Sequence, residues 1–396
     1  MSRYRLQPTP TQEAGLLEHC THARFVWNLA VEQHAHWKPG RTRAPGFAEQ
    51  CRQLTEARAV FGWLRAGSVI VQQQALKDFA QAMANFFGGT HQRPRWRKRG
   101  RSEGFRIVAV TPGDVRRLSR KVGEVRIPKV GWVRFRWSRP VPEGVKSFRV
   151  RRDRAGRWHV AFAAVPQPIP APGSGEVAGV DRGIVTSAAL STGELLNAPR
   201  LSETEARRLL RLQRKLARAQ RGSNRRAKVK HAIAKLKARE CDRRKDWVEK
   251  ISTILARRFD VIGVEDLKIK NMTRTAHGTL QTPGRNVAQK RVLNRGILTS
   301  AWGALAERLG QKAPDRVVKV NPRYTSQACS VCGHCAPDNR ESQAVFRCRA
   351  CGHQADADVN AARNIAYAAG HAVSARGGLP LGGPANREPQ PVLLRV

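Results

Sequence analysis

Val177-Ala178-Gly179-Val180-Asp181 and Val261-Ile262-Gly263-Val264-Glu265 are two versions of one pattern. Each is a short apolar run that passes through Gly-Val and ends on an acid. Short apolar runs of this kind read as buried strands. If the two strands are neighbours, their terminal carboxylates meet at one edge of a sheet. A further strand is expected over Ile184–Leu190, turning at Thr192-Gly193, and another over Arg316–Val320. Helical patterns alternate with these strands, so this half of the chain is α/β.

The helices carry their own signals. Ser202 and Glu205 form a capping box, with Leu209, Leu212, Leu216 and Ala219 on one face. Gly222-Ser223-Asn224 breaks that helix. A second then runs through Val229, Ile233 and Leu236 towards Leu255, completing a hairpin. Twelve basic residues and no acid lie between Arg211 and Arg239. Intrahelical salt bridges cannot use that excess, because partner acids are missing. A nucleic-acid-facing hairpin is preferred over a merely solvated one. Val287–Leu309 reads as helix, as does Val359–Ala369.

Upstream, the Pro- and Gly-rich run from Val165 to Gly175 cannot continue a helix or a ladder, so the main boundary falls there. Before it the period is two. Val133, Phe135 and Trp137 alternate with Arg134 and Arg136, and Trp158, Val160 and Phe162 alternate after a turn at Asp153–Gly156. A small antiparallel barrel follows from these strands. Further upstream, Thr9 and Gln12 box the start of a helix with Pro10 at its first position, and a second helix spans Val69–Phe87. Between helices and strands lies His91-Gln92-Arg93-Pro94-Arg95-Trp96-Arg97-Lys98-Arg99-Gly100-Arg101. Its cation density and embedded Trp96 favour phosphate contact and base stacking over a plain solvated loop.

The 396 residues hold 73 Lys and Arg against 30 Asp and Glu, a net charge of +43. Self-repulsion on that scale calls for a polyanionic partner, and nucleic acid fits best. Apolar residues make up 41%, enough for real cores. No uncharged apolar run approaches the ~20 residues of a membrane helix, and no secretory signal or lipidation motif is evident. Of eight cysteines, four sit in two tight pairs, Cys335 follows the first pair, and Cys20, Cys51 and Cys241 are scattered; that spacing reads as metal binding in a reducing cytoplasm, not as a disulfide framework. Cys329-x2-Cys332 and Cys348-x2-Cys351 each precede Gly-His. Two residues between thiolates let both sulfurs of a knuckle reach one ion, and four thiolates close a tetrahedral structural zinc site. Cys335 offers a rival register. His334 and His353 are expected outside the coordination set.

Asp181, Glu265 and an acid at the start of the last helix, Asp356 or Asp358, are the candidate catalytic set. Crowded carboxylates repel unless cations compensate, and hard Mg2+ suits them. Each has a plain alternative: a turn, an ordinary strand end, a helix N-cap.

Gly179-Val180-Asp181-Arg182-Gly183-Ile184, Gly263-Val264-Glu265-Asp266-Leu267, the double knuckle and Asp356-Ala357-Asp358-Val359-Asn360-Ala361-Ala362-Arg363-Asn364-Ile365 together resemble the TnpB family of insertion-sequence proteins. That family is similar to the compact type V CRISPR effectors. Tyr4–Thr9, Arg24–Asn28 and Asn321–Gln327 resemble it too. The resemblance implies a RuvC nuclease domain of RNase H-like fold (177–325 and 353–370) with Asp181, Glu265 and Asp358 as its metal-binding acids. The zinc segment (326–352) would be inserted before the third acid. It also implies a wedge-like barrel (1–10 and 90–165), an inserted helical recognition domain (11–89), a linker (166–176) and a disordered tail (371–396). The implied activity is RNA-guided, Mg-dependent DNA cleavage beside a short recognised motif, with two Mg2+, one structural Zn2+ and a guide RNA. Target double-stranded DNA would be the other partner, in a prokaryotic cytoplasm at the nucleoid. The competing expectations are an RNA-guided repressor that does not cut, and a transposase acting on element ends.

Overall fold

The computed structural model describes residues 2–36, 44–101, 103–165 and 167–374, in two units. The N-terminal unit comprises Met1–Pro166 with Arg208–Ala238. It opens on β1 (Ser2–Arg5) and α1 (Pro10–Ala35). The expected capping box closes both ways: Gln12 N–H donates to Thr9 Oγ1 at 3.3 Å, and Thr9 N–H to Gln12 Oε1 at 3.1 Å. Next come α2 (Phe47–Val60), α3 (Gly62–Ala66) and α4 (Val69–Phe87). Six strands follow: β2 (Gly104–Val108), β3 (Val115–Arg117), β4 (Val122–Ile127), β5 (Gly131–Arg136), β6 (Ser147–Arg152) and β7 (Trp158–Ala163).

These strands form two antiparallel sheets, β1-β7-β6-β2 and β3-β4-β5, linked by a bridge from Leu6 to Phe135. The period of two is kept: Val133 and Phe135 are buried while Arg134 and Arg136 face out. Leu16, Cys20 and Val26 of α1 and Phe79 of α4 join Phe105, Phe148 and Phe162 of the strands in a single core. The described helices between residues 11 and 89 and the two sheets therefore share one core. The buried faces of α1, α2 and α4 pack into it together with the inner faces of the sheets.

The C-terminal unit comprises Gln167–Arg207 with Arg239–Val396, its described part ending at residue 374. Its leading segment, expected as a linker, is strapped down. Gly173 N–H, Gly175 N–H and Ser174 Oγ donate to the Asp260 carboxylate at 2.8, 2.5 and 3.2 Å. Then come β8 (Val177–Asp181), β9 (Ala188–Leu190), β10 (Leu195–Leu196), the start of α5 (Glu203–Arg218), the part of α6 (Asn224–Arg258) from Arg239 onward, and β11 (Val261–Glu265). They are followed by α7 (Ile269–Met272), α8 (Val287–Thr299), α9 (Trp302–Lys312), β12 (Val317–Val320), β13 (Val345–Arg347), β14 (Gln354–Asp356) and α10 (Ala357–Ser374).

Three expectations change here. The strand over Ile184–Leu190 shrinks to β9, because 182–187 turns away from the ladder. The helix over Val287–Leu309 is two helices, since Ala301 takes a left-handed φ of 64° and ends the first. The last helix runs to Ser374, beyond the expected start of the tail at residue 371; residues 375–396 lie outside the described residues.

The main sheet has the order β10-β9-β8-β11-β12, with β8, β11 and β12 parallel. Leu255 and Phe259 of the α6 segment and Leu305 and Leu309 of α9 cover one face. Ile365 and Ala369 of α10 cover the other. The repeated glycine explains how close α10 lies. A Cβ on Gly179 would stand 1.9 Å from the Ala362 carbonyl oxygen, and one on Gly263 would stand 2.8 Å from Ala369 Cβ. Both glycines are thus seats for one helix on two adjacent strands. Gly179→Ala should cost at least about 3 kcal/mol, since backbone must move to admit the methyl. A drop of roughly 10 °C in the melting temperature is expected; an unchanged value would contradict the close seating.

Candidate active site and metal centre

Parallel pairing puts Val180 opposite Val264, so Asp181 and Glu265 end adjacent strands side by side. α10 begins at the same edge. Its two candidate acids are separated by their hydrogen bonds. Asp356 Oδ1 accepts from the N–H groups of Asp358 and Val359, both at 3.0 Å, and is therefore the N-cap. Asp358 is left with its carboxyl free of the helix end. A Cβ on Gly183, two residues past Asp181, would lie 3.5 Å from Asp358 Oδ2.

The electrostatics bring all three acids together. Burial, then the charges of Glu265 and Asp358, push the Asp181 carboxyl up to about 7. Burial also raises Glu265 and Asp358. Three neighbours answer this accumulation. Thr325 Oγ1 donates to Glu265 Oε1 at 2.9 Å in a buried contact. Arg340 Nη2 lies 3.4 Å from Asp358 Oδ1. The buried Arg182 guanidinium donates to the Glu265 carbonyl and, at 3.3 Å, to that of Trp302. None of the three was assigned a role from sequence. Thr325 lay within the quoted Asn321–Gln327 run, but only the fold brings it to Glu265.

The charge state has a measurable sign. In the folded protein without metal, Asp181 holds its proton up to pH about 7, whereas in the unfolded chain it releases it near its ordinary 3.8. Between those values the native state binds more protons, so stability falls as pH rises, and the full penalty applies above 7. Asp181→Asn should therefore stabilise the protein in chelator by on the order of 2–4 kcal/mol at pH 8, and by nothing near pH 3. Urea unfolding at both pH values checks this; a gain that is the same at each would show that the carboxyl is not strained.

The second centre is tighter. The sulfurs of Cys329, Cys332, Cys348 and Cys351 all lie within 4.8 Å of one another. Cys329–Cys351 and Cys332–Cys348 are 3.8 and 3.5 Å apart. A tetrahedron of thiolates at the zinc–sulfur distance of about 2.3 Å has edges near 3.8 Å, so the four thiols fit zinc. The knuckles are copies. Cys329 N–H donates to the His334 carbonyl at 3.0 Å, and Cys348 N–H to that of His353 at 2.9 Å. Gly333 and Gly352 turn with φ of 78° and 72°, which a side chain would resist. Burial opposes ionisation of Cys348, but N–H groups of Cys351 and Ala350 outweigh it and bring that thiol down to about 6. Cys335, the rival ligand, is outside the converging set and sits in a bridge to Ala328.

The two centres are joined by asparagines. Asn360 Nδ2 donates to the Ala328 carbonyl at 2.8 Å, while its Oδ1 accepts from Ser330 N–H at 3.0 Å. Asn364, one turn on, donates to the carbonyls of Thr325 and Ala328 at 2.9 and 2.7 Å. A polar i, i+4 pair on an otherwise apolar helix was the signal for this contact. Through it, α10 carries Asp358, grips the first cysteine knuckle and steadies the residue that binds Glu265. Among the described residues, the carboxylates do not converge as the thiols do.

The chain is thus α/β, with two acids ending adjacent strands of one sheet and a thiolate centre tied to the helix that carries the third. A solved structure titled "Cryo-EM structure of the Cas12f1-sgRNA-target DNA complex" shares the fold, with a TM-score of 0.54 at 14% identity over 90% of this chain and 82% of that one. Family models match residues 302–365 ("Cas12f1-like, TNB domain"), 159–276 ("Probable transposase") and 2–38 ("Helix-turn-helix domain"). The last region holds one strand and one long helix here, not a helical pair. "Putative RNA-guided DNA endonuclease InsQ" of Escherichia coli (strain K12) is 35% identical over 98% of this chain and 96% of its own length. A "Putative RNA-guided DNA endonuclease" of Streptomyces pristinaespiralis is 32% identical over 95% and 90%. The chain belongs to the TnpB family.

Proposed function

We propose that this protein is an RNA-guided DNA endonuclease. The observation that carries the reading is the edge formed by Asp181, Glu265 and Asp358, where burial and then the charges of the other two acids lift Asp181 to about 7, within a chain of net charge +43. A polyanion binder has no need of such a strained acidic cluster, whereas a nuclease does. Relatives of nearly full length carry the endonuclease name. In this reading the main sheet is a RuvC domain of RNase H-like fold, with the cysteine segment 326–352 as its insert. The barrel is the wedge, and helices 11–89 form the recognition element. Among the described residues no helix is long and apolar enough to cross a membrane. The proposed setting is the prokaryotic cytoplasm, at the nucleoid.

The donor chemistry of the three carboxylates fits two Mg2+ ions, and that of the four thiols fits one structural zinc. When bound, a pair of hard divalent ions supplies an activated water and charge for the leaving oxygen of a phosphodiester. The protein's own groups do the positioning. Thr325 fixes the rotamer of Glu265, Asn360 and Asn364 fix the start of α10, and Arg340 neutralises part of the charge at Asp358. The basic surfaces would hold guide RNA and the RNA–DNA duplex by backbone and shape, and base pairing would supply sequence specificity.

The test is to purify the full chain, sequence the RNA that comes with it and challenge the complex with matched and mismatched duplexes in Mg2+ or chelator. Cutting of the matched duplex alone, lost in chelator, is expected. Guided binding without cutting would instead indicate a repressor, and absence of RNA a transposase.

A further inference from the structure

The basic loop 91–101 is built into the N-terminal unit rather than left as a free run of charge. Trp27 Nε1 donates to the Arg95 carbonyl at 2.9 Å. Asn28 clamps Arg97 from both sides: its Nδ2 donates to the Arg97 carbonyl at 3.1 Å and its Oδ1 accepts from Arg97 N–H at 2.7 Å. The Arg97 guanidinium turns inward, 3.6 Å over the Trp27 ring. With that side chain committed, Arg95, Trp96 and Lys98 are left pointing outward. Trp96 is 56% exposed, although it is among the most apolar side chains of the unit.

A cavity of about 650 Å3 opens beneath these residues. Val31, Phe79, Met83 and Trp96 line it. So does Arg93, whose Nη2 donates to the His34 carbonyl at 2.9 Å, and so do Arg95, Lys98 and Arg101. Among the described residues no carboxylate pairs with the last three cations; Glu103, the nearest acid in sequence, is taken by Arg24 at 3.0 Å and by Gly100 N–H at 2.6 Å. The combination is specific. An isolated phosphate has no use for an apolar and aromatic lining. An apolar ligand has no use for three unpaired cations. A flat ring attached to a charged backbone uses both, and the volume lies within the roughly 300–1,000 Å3 of small-ligand sites. A base locked in a duplex cannot present its face to Trp96.

We propose that this cavity receives an unpaired nucleobase from a single-stranded segment, with its neighbouring phosphates on Arg95, Lys98 and Arg101. The assignment rests on the reading of the protein as one that handles RNA and opened DNA, and names a subsite within it. The segment can come from the RNA or from a DNA strand, and the chemistry is shared.

The experiment uses the zinc-loaded full chain with Mg2+ omitted, so that nothing is cut, and labelled 12-nucleotide adenosine and uridine homopolymers of RNA and of DNA over a salt series. Trp96→Ala should weaken binding about tenfold without changing the salt dependence, because stacking carries no charge. Trp96→Phe should stay within about threefold of the parent. The triple variant R95A/K98A/R101A should lower the slope of log affinity against log salt by about two. Met83→Trp, which fills the cavity and leaves every charge in place, should mimic Trp96→Ala. Ultraviolet crosslinking should attach a nucleotide to the peptide holding Trp96. A loss greater for RNA assigns the site to the RNA, and a loss greater for DNA assigns it to a DNA strand. The proposal is overturned if Trp96→Ala and Met83→Trp both bind like the parent, or if a glutamate homopolymer displaces the strands as well as nucleic acid does. Guided cleavage that fails while these effects hold would strike the endonuclease reading and leave the subsite standing. The reverse result would remove the subsite alone.

Discussion

Asp181→Ala is expected to lower cleavage of guide-matched DNA by roughly a thousandfold or more, while RNA still co-purifies and matched DNA is still bound. The residue ends β8 beside Glu265 and feels the charges of both other acids. It therefore belongs to the set that would hold the divalent ions, and no neighbouring carboxylate can take its place on the strand. The basic surfaces lie on other residues, so binding should survive. Thr325→Val makes the graded comparison. It removes the hydroxyl that donates to Glu265 and keeps the shape, so a loss of about 10- to 100-fold is expected, with a raised Mg2+ requirement. Thr325→Ser should restore most of it. Loss of RNA binding together with cleavage in Asp181→Ala would remove the role given to the acid.

The second large effect concerns the thiol centre. One zinc per chain is expected by elemental analysis, and none in a Cys329→Ser/Cys348→Ser variant. Structural zinc sites contribute apparent binding energies of about 10–16 kcal/mol, which is folding energy for the segment that holds them. The insert has little else. Its core among the described residues is Cys329, Phe346, Cys348 and Ala357. Removing the metal should therefore unfold the segment 326–352 and release Asn360 and Asn364 from Ala328. The start of α10, and Asp358 with it, then loses its anchor. Cleavage should fall at least a hundredfold with Mg2+ saturating, although no cysteine touches the acids. Full activity after complete zinc removal would show that α10 is held without the knuckles.

Much of this was legible in the chain, and the reason is locality. The spacing of the cysteine pairs, the Thr9 box and the period of two in Val133–Phe135 are rules about residues a few positions apart. Each reappears in the structure. The failures were of two kinds. Ala301 broke an apolar helical pattern, since an alanine gives no warning of a left-handed turn. The core that the N-terminal helices share with the two sheets was the other, because amphipathicity reports that a face is buried and not what buries it.

The sequence by itself determined that two apolar strands end in acids, that four thiols can share one ion, and that a polyanion must offset the charge of +43. These follow from side-chain chemistry and short spacing. Only the tertiary structure decided what each acid does at the last helix. Asp356 spends its carboxylate on the N-cap, and Asp358, two residues on, is the one whose charge is felt at Asp181. It also decided that Gly179 and Gly263 are seats for α10, that Thr325 serves Glu265, and that Trp96 lines a cavity. Each of these depends on which surfaces meet across 13 to more than 180 residues of chain, through strand register and helix approach, and no pattern within a few residues encodes that meeting.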